Sequence, residues 1–380
     1  MSTNKKINRF EKLQLLAESS GVDGFLFTSP ASIKCFSGYY FNFETGPSPF
    51  QLLPAALFIS LQGKRSLLLA DSETDKGNLL QGDVELSFYD SYVYENPLHF
   101  EEDFLLKLTT IIGSHRYPKA MIGIEKNSFP FSLYEAINNQ FPTIKLSDIT
   151  ASLSYLKAIK DEDEIELIRQ AAHLADIGQA AVLKYAAEGI TELGLFSKVR
   201  LEMEMAAGTR VPMMTDLVSG AETASGGRNP GYRIIQKNDL ILSDFTPCLN
   251  GYWGDSCNTM IVGTPTDQQQ KVFTLVKGAL ETGIAAIRPG VEARSVDLAM
   301  RKHLAEEGNF GHHGGHGVGT VYHEEPRIVP YNTMILEPGM VIALEPAIYK
   351  NDWGIRLEHL VAVTEQGCDV ITKFQHSFEQ

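Results

Sequence analysis

Two aspartates in the second half of the chain are spaced as a pair of carboxylates sharing one charge-handling site. Asp244 and Asp255 flank the dipeptide Asn250-Gly251, and both of its positions tolerate positive φ, which predicts a two-residue hairpin turn. With the turn there, Thr246 faces Asp255 and Asp244 faces Cys257. Side chains alternate along a strand, so Asp244 and Asp255 share one face as diagonal neighbours. Carboxylates that close repel each other unless a cation lies between them. A bulge in either strand would break this parity. The plainer alternative, two solvent-facing acids, fits poorly with Asp244 behind the apolar run Leu240-Ile241-Leu242.

A second acidic pair lies further on. The apolar run 340–344 ends at Glu345, while Arg356 and Glu358 stand two apart on the strand-like run 355–363, which predicts one face for both. Arg356 can there orient or screen a carboxylate; a surface ion pair is its plainer reading. Between the pairs lies His312-His313-Gly314-Gly315-His316-Gly317-Val318-Gly319, then His323-Glu324. Four of the ten histidines thus fall within twelve residues, among glycines whose tight turns can bring imidazoles to a common centre. A phosphate loop would account for the glycines but not the histidines, and Gly-x-Lys-Ser/Thr is absent. Four carboxylates with an imidazole are mostly hard ligands, suited to Mn²⁺, with Co²⁺ or Zn²⁺ as alternatives. Such a set balances two divalent ions, and a bridged metal pair supplies a hydroxide nucleophile near neutral pH.

The elements that must position these residues come as a repeat. Ala187-Glu188-Gly189-Ile190-Thr191 precedes one predicted helix, and Arg288-Pro289-Gly290-Val291-Glu292 precedes another, 101 residues later. The same offset sets the strand ending at Asp244 on the strand ending at Glu345. A slightly longer second hairpin then sets Asp255 against Glu358. The alternative is chance similarity of two amphipathic α/β units; duplication predicts two half-domains, each giving two acids to one cleft. Ahead of the repeat, Asp161-Glu162-Asp163-Glu164 opens a helix running to about residue 187, its acids offsetting the positive end of the helix dipole. Residues 8–145 alternate helix-like segments (10–20, 100–113) with strand-like ones (24–28, 120–125) and a hairpin of 55–61 with 66–69 about Gln62-Gly63. This predicts a small α/β domain over residues 1–150 and a second domain over 151–380.

Bulk properties agree with two soluble domains. The 380 residues exceed one ordinary core. A net charge of −14 argues against a general nucleic-acid binder, which needs a basic patch. No run approaches a membrane span, since the apolar stretch 52–61 is short and contains Pro54. The N-terminus lacks the apolar core of a secretory signal. Cys35, Cys248, Cys257 and Cys368 form no C-x-x-C pair, which predicts reduced thiols in a cytoplasmic protein.

Taken in order, Asp244-x10-Asp255, His312-x3-His316-Gly-x-Gly-x3-His323-Glu324, Glu345-Pro346 and Arg356-x-Glu358 resemble the pita-bread metallopeptidases. That family includes Xaa-Pro dipeptidases (prolidases), aminopeptidase P, methionyl aminopeptidases and creatinase. The resemblance covers about residues 155–375. The N-terminal part is similar in size and position to a creatinase-type N-terminal domain. It implies an α/β (α+β) chain in which that domain precedes a pseudo-twofold pita-bread catalytic domain, and a homodimer. Two divalent ions per chain are implied, Asp244 and Glu345 each bonding mainly one, Asp255 and Glu358 bridging both, with His316 the single histidine ligand. His312 and His323 match the histidines that contact the scissile carbonyl or move protons. Glu345 is expected to pass a proton to the leaving nitrogen, and Arg356 to orient a ligand.

Three departures bear on the substrate. Family peptidases usually carry a substrate-binding histidine in the loop before the first metal strand; aligning Val218-Ser219-Gly220 places Gly227 there, followed by Arg228-Asn229-Pro230. Arg228 is therefore expected to meet an acidic group on the substrate. Thr246-Pro247 follows Asp244-Phe245 where peptidases more often have Gly, and His359 follows Glu358 where Asp is frequent. The expected activity is hydrolysis before proline in a short peptide, through a hydroxide bridging the metals. The alternatives are hydrolysis of a small amide or amidine, as in creatinase or ectoine hydrolase-like relatives, and a non-catalytic peptide-binding pseudoenzyme, against which the complete ligand set counts.

Overall fold

A computed structural model describes residues 8–41, 55–73, 80–91, 99–114, 119–308 and 310–379. The N-terminal segment 1–7 and residues 52–54 of the apolar run read above lie outside the described residues. The chain divides into two compact units, Met1–Lys157 and Ala158–Gln380.

In the first unit the elements run α1 (Arg9–Ser20), β1 (Gly24–Phe27), α2 (Pro30–Ser37), β2 (Ala55–Ser60), β3 (Arg65–Ala70), β4 (Val84–Tyr89), α3 (Phe100–Ser114), β5 (Ala120–Ile124), α4 (Phe131–Gln140), β6 (Ile144–Asp148) and α5 (Thr150–Ala158). The strands form one mixed sheet in the order β4-β3-β2-β1-β5-β6. The expected hairpin is β2–β3, with Gly63 at φ +81° in its turn. Alternate residues enter two cores: Ala55, Leu57 and Ile59 on one face, Ala56 and Phe58 on the other. Strands covered on both faces read as continuous apolar runs rather than alternating ones.

In the second unit, α6 (Glu162–Tyr185) and α7 (Glu192–Ala207) precede β7 (Met213–Ser219), β8 (Leu240–Leu249), β9 (Tyr252–Trp253) and β10 (Ser256–Ile261). Then follow α8 (Asp267–Ala286), α9 (Ala293–Leu304), β11 (Gly315–Gly317), β12 (Glu324–Ile328), β13 (Val341–Leu344), β14 (Ala347–Tyr349), β15 (Gly354–Arg356), β16 (His359–Val363) and β17 (Cys368–Val370). Asp161 caps α6 in a reciprocal box with Glu164, so the acidic run is the helix start, and the helix ends at Tyr185, two residues short of the expected limit.

The repeat is visible in the backbone bonding. Gly189 N donates to Ile235 O at 2.9 Å, and 101 residues on Gly290 N donates to Leu336 O at 2.8 Å. The isolated bridges Thr191↔Ile234 and Glu292↔Ile335 keep the same offset. Each half thus packs a helix pair on a small sheet: β10-β8-β7 in the first, β12-β11-β13-β16-β17 in the second. Two expectations are corrected. Asp244 does not end its strand, because β8 continues to Leu249. The run 355–363 is not one strand either; β15 and β16 keep the same register but leave the ladder at Leu357-Glu358. There Glu358 N donates instead to Cys257 O at 2.9 Å, a bond between the two halves. No helix among the described residues is long and apolar enough to cross a membrane.

Candidate metal centre

The first hairpin turns at Asn250 (φ +53°) and Gly251 (φ +79°), the positive-φ pair that a two-residue turn matching the strand twist requires. The register follows without a bulge: Asp244 faces Cys257, and Thr246 Oγ1 donates to Asp255 Oδ1 at 3.0 Å. Asp244 and Asp255 therefore share a face. Gly254 fixes how close the hairpin comes to α6. A Cβ there would lie 2.4 Å from Ala172 N and 2.5 Å from Ala171 C, so only glycine lets the helix backbone seat directly before Asp255.

The second half supplies the other groups. His316 lies in β11, opposite Ala343 of β13, and its Nδ1 donates to Gly317 O at 3.1 Å. That bond fixes the tautomer and leaves Nε2 as a lone-pair donor. Nε2 stands 3.6 Å from both Asp255 Oδ2 and Glu345 Oε1. Glu345 and Glu358 sit where the second hairpin leaves its ladder, and both are buried. Arg356 sends Nη2 to Asp244 Oδ2 at 2.7 Å and Nη1 to Gly226 O at 2.7 Å. It crosses from one half to the other.

All eight of Asp244, Asp255, His312, His316, His323, Glu345, Arg356 and Glu358 line one cavity of about 590 Å³. Arg228 does not. Its side chain is 39% exposed and pairs with Glu192 (3.1 Å) and Glu222 (3.5 Å). Buried Glu192 also takes Ser219 N and Gly231 N and holds the arginine, so Arg228 is not brought together with the other expected site residues.

The electrostatics are those of a cation site. Burial, opposed by the Arg356 charge and aided by those of Asp216 and Glu345, pushes the Asp244 carboxyl up to about 6. Burial and the neighbouring carboxylates Asp244 and Glu345 raise Asp255 well above the usual range, and Glu358 rises for the same reason beside Asp255 and Asp244. Glu345 goes the other way. Burial raises it, but a hydrogen bond from His313 and the fields of His316, Arg356 and His312 outweigh that and hold it at about 2. Burial lowers His316 to about 4, keeping its imidazole neutral and fit to ligate. Among the described residues, Glu358 Oε2 is buried with no hydrogen-bond partner, and a buried carboxylate oxygen is costly unless something positive meets it. Ligand atoms of Asp255, His316 and Glu358 lie within 4.8 Å of one another. Residues and geometry fit divalent cations.

His312 and His323 are not equivalent. His312 Nδ1 faces His313 O at 2.7 Å and must donate to it, so Nε2, 3.0 Å from the Tyr349 hydroxyl, accepts from that hydroxyl. Its ring is held on both sides. His323 has no hydrogen-bond partner among the described residues and stands at the cavity rim, its ring 4.0 Å from that of His316. His313, given no role from sequence, donates Nε2–H to Glu345 Oε1 at 2.9 Å. Its place in the histidine cluster was the only available signal.

The chain is similar to known peptidases over most of its length. The model for "Metallopeptidase family M24" matches residues 166–365, and that for "Creatinase/Prolidase N-terminal domain" matches residues 9–159. An Xaa-Pro dipeptidase of Lactobacillus delbrueckii subsp. lactis is 27% identical over 373 residues, 94% of each chain. An uncharacterized peptidase of Bacillus subtilis is 27% identical, covering 96% of this chain and 97% of its own. The X-Pro aminopeptidase structure from Thermotoga maritima superposes with a TM-score of 0.82 at 26% identity, over 96% of this chain and 99% of that one.

Proposed function

The chain belongs to metallopeptidase family M24, and from that premise we propose that it is a two-metal Xaa-Pro peptidase that cleaves short peptides before proline. The observation that carries the proposal is the meeting of Asp244 with the buried Asp255, His316, Glu345 and Glu358 in one cavity, with a Glu358 oxygen that has no hydrogen-bond partner among the described residues. Relatives of similar length bear the names Xaa-Pro dipeptidase and X-Pro aminopeptidase, which supports the substrate class.

In this reading Asp244, Asp255, His316, Glu345 and Glu358 hold two divalent ions, with Mn²⁺ suited to the mostly oxygen set. When bound, the ions acidify a water and polarise the scissile carbonyl. His323, without a hydrogen-bond partner among the described residues, donates to the oxygen that gains charge as the carbonyl is attacked. Tyr349 and the His313 carbonyl hold the His312 ring in place on the cavity wall. Glu345, anchored by His313, carries the proton toward the leaving nitrogen. Arg356 keeps Asp244 ionised and aimed; Arg356→Met is expected to weaken Mn²⁺ binding about 10–100-fold in competition with a chelator, and unchanged affinity would remove it from this role.

The assay is a panel of Xaa-Pro dipeptides, Xaa-Pro-Yaa tripeptides and small amides or amidines with Mn²⁺-loaded protein. The proposal expects turnover of the proline peptides. Turnover of small amides alone would replace it with the small-amide reading.

A further inference from the structure

Gly227 occupies the place where the resemblance implies a histidine, and the structure shows what fills the space. The residue has φ +145°, and a Cβ built on it would lie 2.1 Å from Asp216 Oδ2 and 2.4 Å from Asp216 Cγ. The carboxylate of Asp216 itself stands where any side chain at 227 would enter. Asp216 lies on β7, opposite Asp244 in the β7–β8 register.

Asp216 lines the cavity and its side chain is 36% exposed. Among the described residues its one hydrogen-bond partner is Arg356, whose Nη2 is 3.3 Å from Asp216 but 2.7 Å from Asp244. The same guanidinium serves Gly226 O, the Tyr349 hydroxyl and Cys257 Sγ. Its single charge is shared, with the shorter bond going to Asp244. Among the described residues no other Lys or Arg lines the cavity. A half-exposed carboxylate on the wall of a substrate-sized cavity, facing open space and only partly neutralised, is complementary to a cation.

We propose that Asp216 is a specificity-determining residue of this site, its carboxylate, seated where a side chain at 227 would enter, taking an ammonium, guanidinium or amidinium group of the substrate from the cavity. The proposal rests on reading the cavity as the substrate site. The cation has two possible sources, the α-ammonium of a peptide or a basic group further along it.

Isothermal titration of Mn²⁺-loaded wild type and Asp216→Asn separates these. The probes are L-arginine, L-citrulline, Nα-acetyl-L-arginine and Nα-acetyl-L-citrulline, which share a shape and carry both cations, the α-ammonium only, the side-chain cation only, or neither. In the wild type at least one cation-bearing probe should bind roughly tenfold tighter than Nα-acetyl-L-citrulline, and Asp216→Asn should reduce that preference to within about twofold. Preference for Nα-acetyl-L-arginine assigns the side-chain cation; preference for L-citrulline assigns the α-ammonium. A preference that survives in the variant, or a wild type that shows none or binds no probe, overturns the proposal. Asp216→Ser serves should the amide variant be unstable, and equal metal content in both proteins excludes an effect through the ions. Failure of the wild type to cleave any Xaa-Pro peptide would overturn the peptidase reading and leave this binding comparison intact.

Discussion

Asp255→Asn is expected to lower kcat/KM toward Xaa-Pro peptides by about a thousandfold or more, since even partners behind the metal ligands are worth about 10–100-fold. The substitution keeps the shape and the bond from Thr246 Oγ1, and removes the charge that two ions would share. The same variant should be more stable than the wild type when both are stripped of metal. Asp255 is buried beside Asp244 and Glu345, and its carboxyl is raised well above the ordinary range. A raised folded-state carboxyl binds its proton more tightly than the unfolded chain does, so its stability contribution is present at low pH and lost as pH rises. The stabilisation by Asn should therefore appear at pH 7–8 and vanish toward pH 4. Thermal melts of chelator-treated protein across that range check it. Melts that fall with the substitution at neutral pH would mean Asp255 is paired by the protein alone.

His323→Gln is the second large effect. Loss of a donor aimed at developing charge costs about 10²–10³ in kcat, and His323 is the cavity histidine with both ring nitrogens free of hydrogen-bond partners among the described residues. Its metal content should match the wild type. His312→Gln should cost less in kcat, because Tyr349 and the His313 carbonyl already occupy both nitrogens of His312. Equal losses from the two substitutions would place His312 in direct contact with the substrate.

Much of this site was legible in the sequence because its geometry is local. Asn250-Gly251 sets a turn, the turn sets a register, and the register puts Asp244 and Asp255 on one face whatever packs around them. The repeat was legible for a similar reason: two copies of Gly at positive φ, Gly189 and Gly290, bond back to Ile235 and Leu336 with one offset. What was not legible depends on pairings that sequence spacing does not encode. The break between β15 and β16 arises because Glu358 N finds Cys257 O in the other half. Arg228 turns from the cavity because Glu192, far away in sequence and fully buried, collects it. Asp216 enters the site only through strand pairing with Asp244. In the first unit β4 and β6 escaped notice because Glu85 and Lys145 interrupt short, partly exposed edge strands.

The proposed function requires five residues from two related halves to hold two divalent ions. Metal analysis of Mn²⁺-loaded, dialysed protein tests it most directly, with Glu358→Gln alongside. Two ions per chain in the wild type and fewer in Glu358→Gln is the predicted result. A wild type that retains no ion after loading, or a variant that retains as many as the wild type, would contradict it.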